Sequence, residues 1–170
     1  GADAISSTLY AGQGNDTIAL TASATSSKIY LGQGNDFFSA SGTAVAANTI
    51  SGGDGNDTIN LIAAAAPNTV LGGSGNDSIS YASAGNVGTY FFGFGAGSDT
   101  VNFTAAGATL TFAIDSSFGS TGSFASTSAT SGTLTLGSQT VVFTGAAGTV
   151  NTSIALTFVT VSSSSITNLG

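Results

Sequence analysis

Eight Asp residues, a single basic residue (Lys28) and a formal net charge of −7 over 170 residues make this chain a poor partner for nucleic acid or an anionic membrane surface. Its 41% hydrophobic content, 9% aromatics and only 5% charged residues belong to a folded chain, long enough for one domain or for a solenoid with a cap. With no His, Cys, Glu or Arg, it has no thiol nucleophile, no common catalytic triad and no nitrogen or sulfur ligands for zinc or copper.

The opening Gly1-Ala2-Asp3-Ala4-Ile5 matches the tail of a repeat met further on, with Asp3 and Ile5 in the places of Asp57 and Ile59. The chain is therefore expected to begin inside a coil, as a fragment or a processed product. The repeat itself reads Ala11-Gly12-Gln13-Gly14-Asn15-Asp16, Leu31-Gly32-Gln33-Gly34-Asn35-Asp36, Gly52-Gly53-Asp54-Gly55-Asn56-Asp57 and Gly72-Gly73-Ser74-Gly75-Asn76-Asp77, and a degenerate Phe94-Gly95-Ala96-Gly97-Ser98-Asp99 closes it. Successive motif Asp residues are 20, 21, 20 and 22 residues apart.

Aligned on that Asp, the chain shows strands with one buried face. Two residues after it stand Ile5, Ile18, Phe38, Ile59, Ile79 and Val101, and four after it Leu20, Ala40, Leu61, Tyr81 and Phe103. Seven before it stand Leu9, Ile29, Ile50, Val70 and Phe92. Residues such as Thr17, Ser39, Thr58, Asn60 and Ser80 alternate with these, the period of a half-buried strand. Each coil then holds a strand, a turn of small residues without acidic groups, a second strand and the glycine turn. Tyr90, Phe91, Phe92, Phe94 and Phe103 enlarge the last coil, as a solenoid end requires. The aromatic stripe is expected in the core.

Beyond residue 104 the motif ceases. Segments 108–114, 132–137, 139–144 and 154–161 alternate Thr with large apolar residues and read as strands, with a hairpin turn over Leu136-Gly137-Ser138-Gln139-Thr140. Residues 115–131, rich in Ser, Gly and Thr, are expected to be a loop. The predicted division is 1–103 for the repeats and 104–170 for a β-rich capping or assembly region.

Paired glycines let a backbone turn tightly and present its carbonyls, and the Asp adds a carboxylate beside them. This hard, all-oxygen set suits Ca²⁺, whereas Mg²⁺ prefers a small octahedral shell that keeps its waters. A lone Asp of this kind can serve as an Asx-turn. A column of them, on coils about 4.8 Å apart, is a row of charges that repel unless compensated.

The four motif copies resemble the Ca²⁺-binding nonapeptide G-G-x-G-x-D-x-U-x of RTX proteins, and the resemblance covers roughly residues 1 to 103. It implies an all-β fold, a parallel β-roll with several Ca²⁺ ions held between successive turns. The ligands it implies are the carboxylates of Asp16, Asp36, Asp57, Asp77 and Asp99 and the turn carbonyls of Gly12, Gly14, Gly32, Gly34, Gly53, Gly55, Gly73 and Gly75. Tandem nonapeptides would repeat the Asp after nine residues, so here only one side of each coil carries the calcium turn.

An extracellular setting with about millimolar calcium suits such turns. RTX-like proteins are generally exported by type I machinery that reads a C-terminal signal, which the hydroxyl-rich Val161-Ser162-Ser163-Ser164-Ser165-Ile166 resembles. No apolar run is long enough to span a membrane, and no enzyme activity is expected, because the Asp residues that could act in pairs are assigned as ligands. The composition is similar to that of RTX-type S-layer proteins, which implies a self-assembling structural subunit of the bacterial surface that pairs with copies of itself. A calcium-stiffened module of a secreted adhesin or enzyme is the alternative. Ice-binding RTX modules form a third class, and Asn15, Asn35, Asn56 and Asn76 keep their Asn column, but Gln13, Gln33, Asp54 and Ser74 replace their Thr column.

Overall fold

A strand of four to six residues with one apolar face cannot bury that face alone, so short alternating strands must stack. The computed structural model describes residues 4–42, 45–62, 67–82, 85–92, 97–105, 108–115, 123–128, 131–136, 139–145 and 155–161. Through the repeats the strands run β1 (Ala4–Ile5), β2 (Thr8–Gln13), β3 (Thr17–Leu20), β4 (Ala24–Thr25), β5 (Lys28–Gln33), β6 (Phe37–Ala40), β7 (Val45–Ala46), β8 (Thr49–Asp54), β9 (Thr58–Leu61), β10 (Asn68–Ser74), β11 (Ser78–Tyr81), β12 (Gly85–Phe92) and β13 (Ser98–Phe103). They are followed by β14 (Ala108–Asp115), β15 (Ser123–Ser128), β16 (Ser131–Leu136), β17 (Gln139–Gly145) and β18 (Ala155–Val161). The fold is an all-β solenoid, and no helix occurs among the described residues. None is therefore long and apolar enough to cross a membrane.

Two large sheets face each other across the core. One has the order β18-β14-β12-β10-β8-β5-β2 and is parallel throughout; the other has the order β15-β16-β17-β13-β11-β9-β6-β3 and is parallel as far as β17. Both sheets cross residue 103 without a break, because β14 pairs with β12 and β17 with β13. The expected hairpin joins β16 and β17, with Leu136 opposite Gln139. Residues 115–131 are not all loop: β15 lies within them and pairs antiparallel with β16. Its sequence SFASTS contains Ser and Thr, whose hydroxyls suggest a loop, yet Thr and Phe suit a paired strand once a neighbour is present.

The core columns follow the sequence alignment with two corrections. Ile18, Phe38, Ile59, Ile79 and Val101 stack in register, as do Leu20, Ala40, Leu61, Tyr81 and Phe103. From the other sheet come Leu9, Ile29, Ile50 and Val70, followed by Tyr90 rather than Phe92. The register offset is 20 residues at Leu71↔Phe91 but 22 at Ser78↔Thr100, so the two extra residues of the last coil lie in the glycine turn. Tyr90 and Phe103 are buried, whereas Phe94 and the side chain of Phe92 lie outside the described residues. The second correction is Ile5, which pairs with Thr25 beside Ala4↔Ala24 and so enters at the small-residue turn, not in the Ile18 column. Thirteen residues from Asp3 to Asp16 are too few for a coil of about twenty.

The small-residue turns also contain more order than small size implies. β1, β4 and β7 form a third parallel ladder, and beneath it a buried row of side chains joins the coils. Asn48 Oδ1 accepts from the Ser27 N–H (2.9 Å), and Asn48 Nδ2 donates to the Ala24 carbonyl (2.7 Å) and to Asn68 Oδ1 (3.1 Å). Asn68 Oδ1 also accepts from the Asn48 N–H (3.1 Å), while Ser27 Oγ donates to the Ala4 carbonyl (2.9 Å). The signal was present in the sequence as Ser27, Asn48 and Asn68, each nine residues before a motif Asp. Outside, Tyr10 and Tyr30 stack at 4.8 Å between ring centroids across β2 and β5.

Asn48→Ala is expected to cost about 3 kcal/mol, because it strands the Ser27 N–H and the Ala24 carbonyl in the interior; a urea melt checks this. Gly53 has φ +105°, and a Cβ there would lie 2.0 Å from the Gly32 carbonyl oxygen. Gly12 has φ +115° with nothing within 4 Å. Gly53→Ala should therefore destabilise by about 2–4 kcal/mol and Gly12→Ala by no more than about half as much. Equal shifts in the two melts would mean that backbone strain alone, not close approach of the coils, demands glycine.

Candidate metal centre

Each glycine turn links a strand of one sheet to a strand of the other, and the motif places its residues in four columns. Gly12, Gly32, Gly53 and Gly73 form one glycine column, with φ between +105° and +115°. Gly14, Gly34, Gly55 and Gly75 form the second, with φ between +101° and +127°. A Cβ on Gly34 would meet the Gly14 carbonyl oxygen at 2.3 Å, one on Gly55 the Gly34 oxygen at 2.1 Å, and one on Gly75 the Gly55 oxygen at 2.2 Å. Carbonyl oxygens thus lie in rows against space that only glycine leaves open.

The Asp column is bonded across coils rather than within its own turn. The N–H of Asp16 donates to Asp36 Oδ1 (2.7 Å), that of Asp36 to Asp57 Oδ1 (2.8 Å), that of Asp57 to Asp77 Oδ1 (2.9 Å) and that of Asp77 to Asp99 Oδ1 (3.0 Å). An Asx-turn would have closed locally. The exposed Asn column runs the other way: Asn15, Asn35, Asn56 and Asn76 Oδ1 accept from the N–H of Asn35, Asn56, Asn76 and Ser98 at 2.7–2.8 Å. Of the x positions, Asp54 is exposed and level with Gln33 and Ser74.

The second carboxylate oxygen of the Asp column has no such partner. Oδ2 of Asp16, Asp36, Asp57 and Asp77 is buried without a hydrogen bond. For Asp57 it points at Gly52, where a Cβ would come within 2.4 Å, and for Asp77 at Gly72, where the distance would be 2.3 Å. Burial pushes the Asp57 carboxyl from 3.8 up to about 6, opposed by the Asp36 N–H and reinforced by the charges of Asp36 and Asp54. Burial likewise lifts Asp77 from 3.8 to about 7, opposed by the Asp57 N–H and reinforced by Asp99 and Asp57. A buried anionic oxygen with no donor is destabilising unless a proton or a cation reaches it.

Asp99 differs from the other four. Its Oδ2 accepts the hydroxyl hydrogen of Tyr90, which takes the column position that the alignment gave to Phe92. Burial still raises its pKa, and the bonds from Tyr90 and from the Asp77 N–H act against that rise. Among the described residues no group of three or more acidic, imidazole or thiol side chains converges. An ion here would draw on carboxylates of successive coils and complete its shell with carbonyls, a donor set that fits Ca²⁺ and no softer metal.

The family model of the RTX calcium-binding nonapeptide repeat, four copies in length, matches residues 6–25, 46–61 and 63–86. Those segments contain Asp16, Asp57 and Asp77; the unmatched stretch between them holds Leu31 where the next two coils have Gly52 and Gly72. No curated protein and no solved structure matches the chain.

The raised carboxyl pKa values set the sign of a pH effect in the metal-free protein. The folded state holds these protons more tightly than the unfolded chain, so the associated stability is full below about pH 4 and is lost as pH rises through 6 to 7. In chelator, the thermal midpoint should be higher at pH 5 than at pH 7.5. In millimolar calcium the order should reverse, because protons then compete with the ion; an unchanged order would count against the Oδ2 atoms as ligands.

Proposed function

Because the coils of this chain are RTX calcium-binding repeats of the β-roll family, we propose that it is a calcium-dependent structural protein of the cell surface that assembles with copies of itself, as an S-layer or filament subunit. RTX repeats bind several calcium ions per array and form a structural β-roll, and they are typical of secreted, extracellular proteins. The buried row of donorless Oδ2 atoms carries the calcium dependence. Asp16, Asp36, Asp57 and Asp77 hold the ions in this reading, with carbonyls from the two glycine columns. Bound calcium neutralises carboxylates that otherwise repel through the stack, and ties each coil to the next.

Self-assembly is supported by composition: the chain is poor in charge and rich in Thr, Ser, Ala and Gly, which is similar to RTX-type S-layer proteins. Contact between unlike surfaces of two copies propagates into a filament, and with lateral contacts into a sheet. Type I export and the bacterial surface complete the proposal.

Light scattering during a calcium titration, followed by electron microscopy with and without chelator, tests it. Ordered assemblies that appear with calcium and dissolve in chelator are expected. A chain that stays monomeric at high protein concentration and millimolar calcium would replace this reading with that of a calcium-stiffened module inside a larger adhesin or enzyme.

A further inference from the structure

We infer that the metal column stops at Asp77, and that the hydroxyl of Tyr90 takes, at Asp99, the place that an ion takes at the earlier coils. This rests on the calcium reading of the Asp column and narrows it to particular coils.

Three observations converge on this end of the stack. First, Tyr90 is the one polar member of the column Leu9, Ile29, Ile50, Val70 and Tyr90, and it is 1% exposed. Its hydroxyl donates to Asp99 Oδ2, while Asp99 Oδ1 accepts from the Asp77 N–H at 3.0 Å. Both oxygens of Asp99 are thus engaged by protein donors, whereas the Oδ2 atoms of the four preceding Asp residues have none.

Second, the hydroxyl fills the space between coils. A Cβ on Gly72 would lie 2.3 Å from Asp77 Oδ2 and 3.0 Å from the Tyr90 hydroxyl oxygen, so both atoms border the same small volume. At the preceding coil, the corresponding point on Gly52 borders Asp57 Oδ2 and the Gly72 carbonyl, with no phenol among its nearest atoms. Third, the glycine turn leading to Asp99 is two residues longer than the others, as the change of offset from 20 to 22 shows, and the repeat match ends at residue 86.

A hydroxyl donor and a divalent cation both satisfy a buried carboxylate oxygen, but they are not equivalent. The phenol is part of the chain and stays when calcium is removed, so the last interval is closed in either condition. The column therefore has a built-in end, which limits how many ions a chain takes up.

Native mass spectrometry of the full chain in a volatile buffer with added calcium counts the ions, with circular dichroism in calcium confirming that each variant is folded. Asp99→Asn should leave the count at the wild-type value, whereas Asp57→Asn should lower it by at least one. Tyr90→Phe, which frees Asp99 Oδ2 with little change in core volume, should raise the count by one. Loss of an ion in Asp99→Asn would overturn the inference, as would no gain in a folded Tyr90→Phe. If Tyr90→Phe does not fold, Asp99→Asn against Asp57→Asn decides by itself. A wild-type chain that binds no calcium would overturn the calcium reading first, and this one with it.

Discussion

Placing carboxylates in a row at the spacing of β-strands is the constraint on which the rest of this structure depends. Coils that stack about 4.8 Å apart set like charges at a separation where, at an effective dielectric near 20, each neighbouring pair costs about 3 kcal/mol. The backbone bonds that Oδ1 accepts contribute about 1–3 kcal/mol each, too little to offset that repulsion together with burial. Burial foremost, with that repulsion added to it, raises the pKa values of Asp57 and Asp77, so at neutral pH these carboxylates favour a bound cation.

The two edges of the coil solve one geometrical problem in two ways. On both, a side-chain oxygen accepts a hydrogen bond from the main-chain N–H of the adjoining coil, which pins the register. Asn48 and Asn68 do this with a neutral amide whose Nδ2 then finds carbonyl acceptors, so that edge closes without any ion. On the opposite edge Asp57 and Asp77 do it with a carboxylate, and the second oxygen has no donor to meet. Amide on one edge and acid on the other gives a fold that is half self-sufficient and half conditional.

Stacked repeats gain their stability largely from nearest-neighbour contacts, so each interface between coils counts nearly as much as the coils themselves. The glycine columns set how close those interfaces come: at Gly32, Gly53 and Gly73 a methyl group would enter the preceding coil's carbonyl oxygen at 2.0 Å. Close approach at the glycine edge keeps carbonyls and carboxylates within one shared volume. It also keeps the apolar columns in register, so that Ile50, Ile59 and Leu61 in mid-stack are fully buried by the coils on either side.

Much of this was legible in one dimension because the repeat is periodic. Spacing of the motif Asp fixed the coil length, strict alternation identified the inward columns, and an oxygen-only inventory pointed to calcium. Where the period changed, the reading failed: the two extra residues before Asp99 could be assigned to either turn, and alignment on Asp put Phe92 in the column that Tyr90 occupies. At Ile5 the motif's apolar spacing recurred by coincidence, and only pairing with Thr25 placed it on the other edge. β15 needed a neighbour to become a strand. Sequence by itself determined the repeat, its strands, the buried face and the metal's chemical class, since each depends on residue type and local period. Tertiary structure alone decided which oxygen of each Asp is left without a donor, because Oδ1 meets an N–H that the adjoining coil presents about twenty residues away, whereas the second oxygen meets a donor only at Asp99, from Tyr90 of its own coil.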